Sequence, residues 1–349
     1  MFKNIENLKA PDVERHTVEY QVLSDAEIIG GIDYGPYLLR PWEFNEKKGP
    51  GDERWLLLRV TEKAFSADEN PWQHATPKGD YHGGGIPSEL TALGSLFLRR
   101  RVRLGAMVRL DDSPLYVSGF PGHVDEGLVA GRSNFGDLNE WFELVKQLKS
   151  DLQLPFILAA KFYQQAIDLI EEKPDLAYLS LVSAIEVLSQ DFAVPLPTLA
   201  EINERLARMV GRIGEDDLRN EITEQIIERE FLTSRRFVAF IVAHTGDEFW
   251  RAEGRPEQGR GRVEPAQLPE LMRRIYNQRS RTLHRGEPFP PNIFHPPGIA
   301  SEMPLGLGMV IGERRWDPED FIPHTSFFER LVNHVLKNFL RRNLEREAD

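Results

Sequence analysis

From about Asn134 onward the apolar residues of this chain recur at helical spacing almost to the end, while the first 130 residues show no such period. That change of period limits the fold more than any other feature. Before it lie β-branched or aromatic-rich runs at 18–23, 55–61 and 115–119, divided by turn residues such as Gly49-Pro50-Gly51, and these predict strands. One helix is predicted among them: Pro87-Ser88-Glu89 opens it, Leu90, Leu93, Leu96 and Phe97 form its apolar stripe, and the basic run 99–103 closes it. The glycine-rich residues 122–136 predict a linker. Beyond it, amphipathic helices are predicted over 138–148, 155–172, 175–190, 199–213, 218–228, 232–243, 265–284 and 326–342, with loops at 251–263 and 287–315. The expected fold is α+β: a β-rich mixed domain over residues 1–130, then an all-α bundle over residues 135–349.

A length of 349 residues suits about two domains at ~100–200 residues each, and 41% hydrophobic with 28% charged residues is a globular composition. The absence of cysteine excludes thiol nucleophiles, iron–sulfur clusters, thiolate zinc sites and disulfides. It fits a reducing, cytoplasmic setting. The first nine residues are charged and lack an apolar core, so no signal peptide is expected. Nor is a membrane partner, because the longest apolar stretches fall far short of the ~18 residues that a spanning helix requires. The net charge of −12 argues against a general nucleic-acid binder. It is unevenly spread, however: residues 1–200 carry −10 and residues 201–349 only −2, and all but one of the 23 cations in the second stretch are arginines. A guanidinium presents a planar fork suited to phosphate oxygens, so phosphate binding stays open.

Several catalytic patterns are absent, among them G-x-x-x-x-G-K-[ST], H-E-x-x-H and G-x-S-x-G. No two histidines stand at i, i+3 or i+4, and neither a metal nor a cofactor is expected. His82-Gly83-Gly84-Gly85 has no nucleophile elbow to serve and reads as a turn before the helix. The informative stretch is 268–287. Leu268, Leu271, Met272, Ile275 and Leu283 predict a buried stripe, and Arg279 falls on it. A buried guanidinium requires a carboxylate, an interface or an anionic ligand. Five residues on, His284 lies in the last turn before Gly286 and Pro288, which end the helix. On an ideal helix the two side chains point about 140° apart. The expected partner of Arg279 is Glu186, which is set among Val182, Ile185, Val187 and Leu188, where an unpaired carboxylate is costly. On periodicity alone the two residues read as an arginine paired to a carboxylate and a histidine closing a helix.

The segment Tyr276-Asn-Gln-Arg279-Ser-Arg-Thr-Leu-His284-Arg-Gly286 resembles the R-x4-H signature of HEPN domains. Its Y-x-x-R-S-x-x-x-H form is most similar to the Apea-like HEPN group, with Arg285 before the glycine as a departure. Upstream, residues 179–188 with the embedded Glu186 are similar to the apolar, glutamate-bearing helix of that group. The resemblance covers about residues 135–349; residues 1–130 resemble no family.

The resemblance implies a HEPN-like helical bundle that forms a homodimer, with R-x4-H elements of two copies facing one cleft. It also implies a metal-independent endoribonuclease of the kind found in toxins and antiphage defence, acting on single-stranded RNA or tRNA and leaving a 2′,3′-cyclic phosphate. His284 would then serve as base or acid, Arg279 would stabilise the phosphorane, and Glu186 would orient Arg279. Ser280, Arg281, Arg285, Arg274 and Tyr276 are the expected substrate contacts. Arg273, the loop 251–262 and the run 99–103 are further candidates for the RNA backbone. The alternative is a non-catalytic HEPN dimer that binds or senses RNA or a nucleotide.

Overall fold

The structure, a computed structural model, describes residues 1–41, 55–64, 85–114, 131–195, 198–230, 232–253, 255–257, 261–294, 301–304, 308–311 and 314–345. They divide into two units, Met1–Glu172 with Phe339–Asp349, and Lys173–Asn338. The fold is α+β, with an antiparallel sheet in the N-terminal region and a helical C-terminal part.

The first unit runs α1 (Phe2–Asn7), β1 (Arg15–Ser24), β2 (Ala26–Ile29), β3 (Ile32–Tyr34), β4 (Tyr37–Pro41), β5 (Trp55–Lys63), α2 (Ile86–Leu98), β6 (Val102–Leu110), β7 (Gly131–Asn134), α3 (Leu138–Lys146) and α4 (Ser150–Leu169). Five strands form the sheet in the order β3-β4-β5-β1-β6, and β2 pairs with β7 in parallel apart from it. The register sets Val18 against Val60 and Val22 against Leu56, all buried, as period-2 alternation requires. In α2 the predicted stripe of Leu90, Leu93, Leu96 and Phe97 is buried, and the helix ends at Arg99 in a left-handed conformation (φ 52°).

The basic run after α2 is not a free cationic patch. Arg101 is buried, donates to Asp25 (2.8 Å) and to the Ile167 carbonyl (2.7 Å), and pairs with Glu171. Arg103 pairs with Asp168 at 3.2 Å.

Sequence periodicity set the domain border at 130–135, whereas the units part after Glu172. The difference is packing. Phe97 of α2 stacks on Trp141 of α3 (4.6 Å) and on Phe156 of α4 (6.3 Å). Phe339 stacks on Phe156 in turn (6.3 Å), and the Arg341 guanidinium lies over Trp141 (5.1 Å). Helices whose apolar faces are used in this way belong with the sheet unit, whatever their period. The helix predicted from 155 starts at Ser150 instead and carries Pro155 inside it, with Asp151 favourably placed in its first turn. The end of the predicted linker forms β7 and a 3-10 turn at Phe135–Asp137. The run 115–119, the turn Gly49-Pro50-Gly51 and His82, Gly83 and Gly84 lie outside the described residues; Gly85 is the N-cap of α2.

The second unit comprises α5 (Pro174–Ser189), α6 (Leu199–Ile202), α7 (Glu204–Val210), α8 (Asp216–Glu230), α9 (Leu232–His244), α10 (Asp247–Arg251), α11 (Leu268–Arg285), β8 (Met309–Ile311), β9 (Arg314–Trp316) and α12 (Thr325–Arg342) up to Asn338. The single helix predicted over 199–213 is broken at Asn203. That residue is extended (φ −154°), and its side chain accepts the Leu206 N–H (3.0 Å) to cap α7. The antiparallel pair β8–β9 corrects the all-α expectation for this part.

The core of the unit joins Tyr178, Leu181, Val182 and Ile185 of α5 with Phe237, Phe240 and Ile241 of α9, Met272 and Ile275 of α11, and Phe327, Phe328 and Leu331 of α12. Tyr178 stacks on Phe328 (5.0 Å), and its hydroxyl donates to the Pro323 carbonyl. The chain after α10 is tied down at Arg255, whose side chain is only 3% exposed. Its guanidinium forks onto both oxygens of Glu302 (2.9 and 2.8 Å), a carboxylate that also accepts from Arg330 and from the Val263 N–H (2.8 Å). Arg255 is therefore a structural clamp and not an RNA contact.

Candidate functional site

Helices α5 and α11 both pack on α9, and this brings Glu186 and Arg279 together from positions 93 residues apart. The Arg279 Nη2 donates to Glu186 Oε2 at 3.0 Å, with the side chains 23% and 16% exposed. Both side chains are thus mostly shielded but keep some contact with solvent. Tyr276, one turn before Arg279, has its ring 5.9 Å from the guanidinium carbon and 5.2 Å from the ring of Phe237. Burial, then the Glu186 charge and a hydrogen bond to that carboxylate, push the Tyr276 phenol up to about 12, with the Arg279 charge acting the other way. Glu186 therefore accepts from Arg279 and sets the charge felt by the Tyr276 phenol one helical turn away. The arrangement fixes the arginine in place and leaves part of its fork accessible.

The stripe that buries α11 differs in one respect from the prediction. Leu268, Leu271, Met272 and Ile275 are buried, but the fourth turn is closed by Gln278 while Leu283 is 52% exposed. At ~100° per residue, Gln278 and Thr282 stay within about 60° of Ile275, whereas Leu283 lies about 80° away. Arg279, about 40° from Ile275, lies within the stripe, yet its side chain remains 23% exposed.

On the opposite side of α11 the chain forms an open groove of about 370 Å³ lined by Arg274, Asn277, Ser280, Arg281 and Arg285, with Glu319, Asp320 and Ile322 as the other wall. Four of the five expected substrate contacts, Arg274, Ser280, Arg281 and Arg285, come together here; Tyr276 does not and belongs to the Glu186–Arg279 pair. Arg274 is partly engaged, with Glu270 (3.5 Å) and the Glu319 carbonyl (3.0 Å). Arg273 is exposed and paired with Glu270. His284 is exposed in the last turn, and its imidazole makes no hydrogen bond with the described residues. By helical projection it lies on the groove side, between Ser280 and Asn277, and about 140° from Arg279. Within one copy, then, Arg279 and His284 do not converge.

Sequence reasoning missed Tyr276 as a neighbour of Glu186, the amide of Gln278 inside the stripe, and two residues beyond the helix, Glu287 and Arg314. The i, i+3 spacing of Tyr276 and Arg279 was a usable signal; nothing local marks Arg314. Among the described residues no group of three or more histidines or carboxylates is placed to hold a metal ion, and no helix is long and apolar enough to cross a membrane. No family model, curated protein or solved structure matches this chain.

Proposed function

We propose that the chain is a metal-independent endoribonuclease of the HEPN type, working as a cytoplasmic homodimer on single-stranded RNA or tRNA, in a toxin or antiphage setting. The observation that carries the reading is the oriented Arg279. A guanidinium held at 3.0 Å by Glu186 and still 23% exposed is a preorganised donor for the charge that builds on a phosphorane. In the proposed step the RNA 2′-oxygen attacks the adjacent phosphorus and the P–O5′ bond breaks. The products are a 2′,3′-cyclic phosphate and a 5′-hydroxyl. One His284 takes the 2′-hydroxyl proton, and a second protonates the leaving 5′-oxygen, since one imidazole cannot do both in one step. The divergence of Arg279 and His284 within one helix supports a site assembled from two copies.

The test is cleavage of end-labelled single-stranded RNA and tRNA in EDTA. Wild type is expected to cut and to leave cyclic phosphate ends, while His284→Ala and Arg279→Ala lose at least about 100-fold in rate, the scale of one acid–base or oxyanion group. Equal cutting by the His284→Ala protein refutes the assignment. A second reading, a non-catalytic RNA- or nucleotide-binding HEPN dimer, is favoured by one observation: Arg279 already has its carboxylate without any ligand. That reading predicts binding without product.

A further inference from the structure

The C-terminal end of α11 carries a cluster that plays no part in the Glu186–Arg279 pair. Gly286 adopts φ 66°, and its N–H and that of Glu287 satisfy the carbonyls of Thr282 and Arg281 (3.0 and 3.4 Å). The reversal turns Glu287 back against the helix it has just left. There its carboxylate is approached by three guanidinia: Arg281 at 3.9 Å, Arg285 at 4.0 Å and Arg314 of β9 at 3.7 Å. None of the three is at hydrogen-bonding distance, so three positive charges share one negative charge without closing on it.

The arginines are held from behind. The Gln278 amide donates to Thr282 Oγ1 (3.2 Å) and to the Pro288 carbonyl (2.9 Å), which leaves its oxygen to accept from Arg281 Nη2 (2.9 Å). Arg281 Nε is shielded from solvent and has no hydrogen-bond partner among the described residues. The Arg314 guanidinium lies 3.9 Å above the ring of the buried Trp316. Arg281 and Arg285 are one turn apart and open onto the groove that also holds Ser280 and Asn277.

A helix end favours cations by its dipole, which accounts for Arg285. It does not account for Arg314, which arrives from another element, nor for an unsatisfied guanidinium N–H. A tetrahedral anion with several acceptor oxygens does, because it can reach all three forks where one planar carboxylate cannot. Among the described residues the groove has a single apolar lining residue, Ile322, so it does not suit an apolar ligand.

We propose that Arg281, Arg285 and Arg314 form a phosphate-binding site at the end of α11, and that Glu287 is its resident counter-ion, displaced when a phosphate group enters. The groove is the one His284 faces, but the phosphate site does not depend on the cleavage chemistry. The phosphate comes either from an RNA backbone lying in the groove or from a free phosphate or nucleoside monophosphate.

The test is binding in EDTA by the full-length chain carrying His284→Ala, so that no cleavage intervenes. Fluorescence anisotropy of a labelled 12-nucleotide RNA reports one source; calorimetry with inorganic phosphate and with a nucleoside monophosphate reports the other. Arg281→Gln, Arg285→Gln and Arg314→Gln are each expected to weaken binding about fivefold, and in the RNA arm to lower the salt slope by about one. Glu287→Gln is expected to tighten binding about fivefold, on the scale of one screened charge at ~4 Å. Glu224→Gln, an exposed charge on α8, is the control for net charge. The proposal is overturned if Glu287→Gln binds no tighter than Glu224→Gln, or if Arg314→Gln binds as well as its parent. RNA binding with these responses and no cutting by wild type would refute the nuclease while leaving the phosphate site intact.

Discussion

Replacing Glu302 by glutamine tests how the second unit holds Arg255 and Val263 in place. Glu302 is the carboxylate at the centre of a buried cluster: it binds Arg255 through both oxygens, accepts the Val263 N–H, and pairs with Arg330. Arg255 also donates to the carbonyls of Trp250 (2.8 Å) and Val263 (2.6 Å), and its guanidinium lies 5.1 Å from the Trp250 ring. A glutamine turns one acceptor into a donor facing guanidinium N–H groups and removes the charge, leaving a guanidinium that is only 3% exposed without a counter-ion. Breaking a buried pair from one side costs about 3–5 kcal/mol. At ~2–4 °C per kcal/mol for a domain of this size, the melting transition of the second unit falls by roughly 10 °C. Tryptophan fluorescence during heating reports it, because Trp250 is part of the cluster. The effect also has a pH signature. Burial alone would raise the Glu302 carboxyl, but the Arg255 hydrogen bond, the Val263 N–H and the charges of Arg330 and Arg255 outweigh it and hold it below its ordinary value of 4.5. A lowered carboxyl contributes stability that is present above 4.5 and is lost as the pH falls below it. Wild type and Glu302→Gln should therefore converge in stability in acid. A loss below about 1 kcal/mol at neutral pH, the scale of a surface pair, would refute the clamp.

Two further outcomes follow from α11. Ile275→Ala, in the fully buried stripe, should destabilise by about 2–5 kcal/mol in urea titration, whereas Leu283→Ala should stay within about 0.5 kcal/mol because that leucine is half-exposed. Comparable losses would mean that Leu283 is buried in solution, as in a tight dimer. Tyr276→Phe removes the phenol that faces the Glu186 charge and should cost about 1 kcal/mol at pH 7. The Tyr276 phenol is raised from 10.0 to about 12, so its share of stability is complete below pH 10 and is lost as the pH rises towards 12. The gap between wild type and Tyr276→Phe should therefore close over that range; a gap constant to pH 12 contradicts the assignment.

The helices were legible because their signal is local. Periodicity predicted 175–190, 232–243 and 326–342, and α5, α9 and α12 begin and end within one residue of those bounds. Misplacements have identifiable causes. Asn203 interrupts a continuous apolar period because its side chain competes for a backbone N–H. Pro155 looked like a helix start because proline is favoured there, yet α4 runs through it. Short strands such as β3, β8 and β9 have three residues each, too few for alternation to register. Within the candidate site, Arg279 and its need for a carboxylate could be read from its place on the stripe, and Glu186 from its apolar surroundings.

What the amino-acid order determined by itself is therefore the class of fold and the residues whose burial demands a partner. Both depend on neighbours within one or two turns. The tertiary structure alone decided which helices serve the sheet, since α3 and α4 have the same period as the helices of the second unit and are assigned only by the faces they meet. It also decided that Arg101 and Arg255 are clamps closed on carboxylates while Arg281, Arg285 and Arg314 gather around Glu287 beyond hydrogen-bonding distance, although all five are arginines in basic or loop-rich stretches. The reason is physical: a guanidinium is neutralised by whichever carboxylate chain closure brings within reach, and Asp25, Glu302 and Glu287 arrive from different distances along the chain and in different geometries.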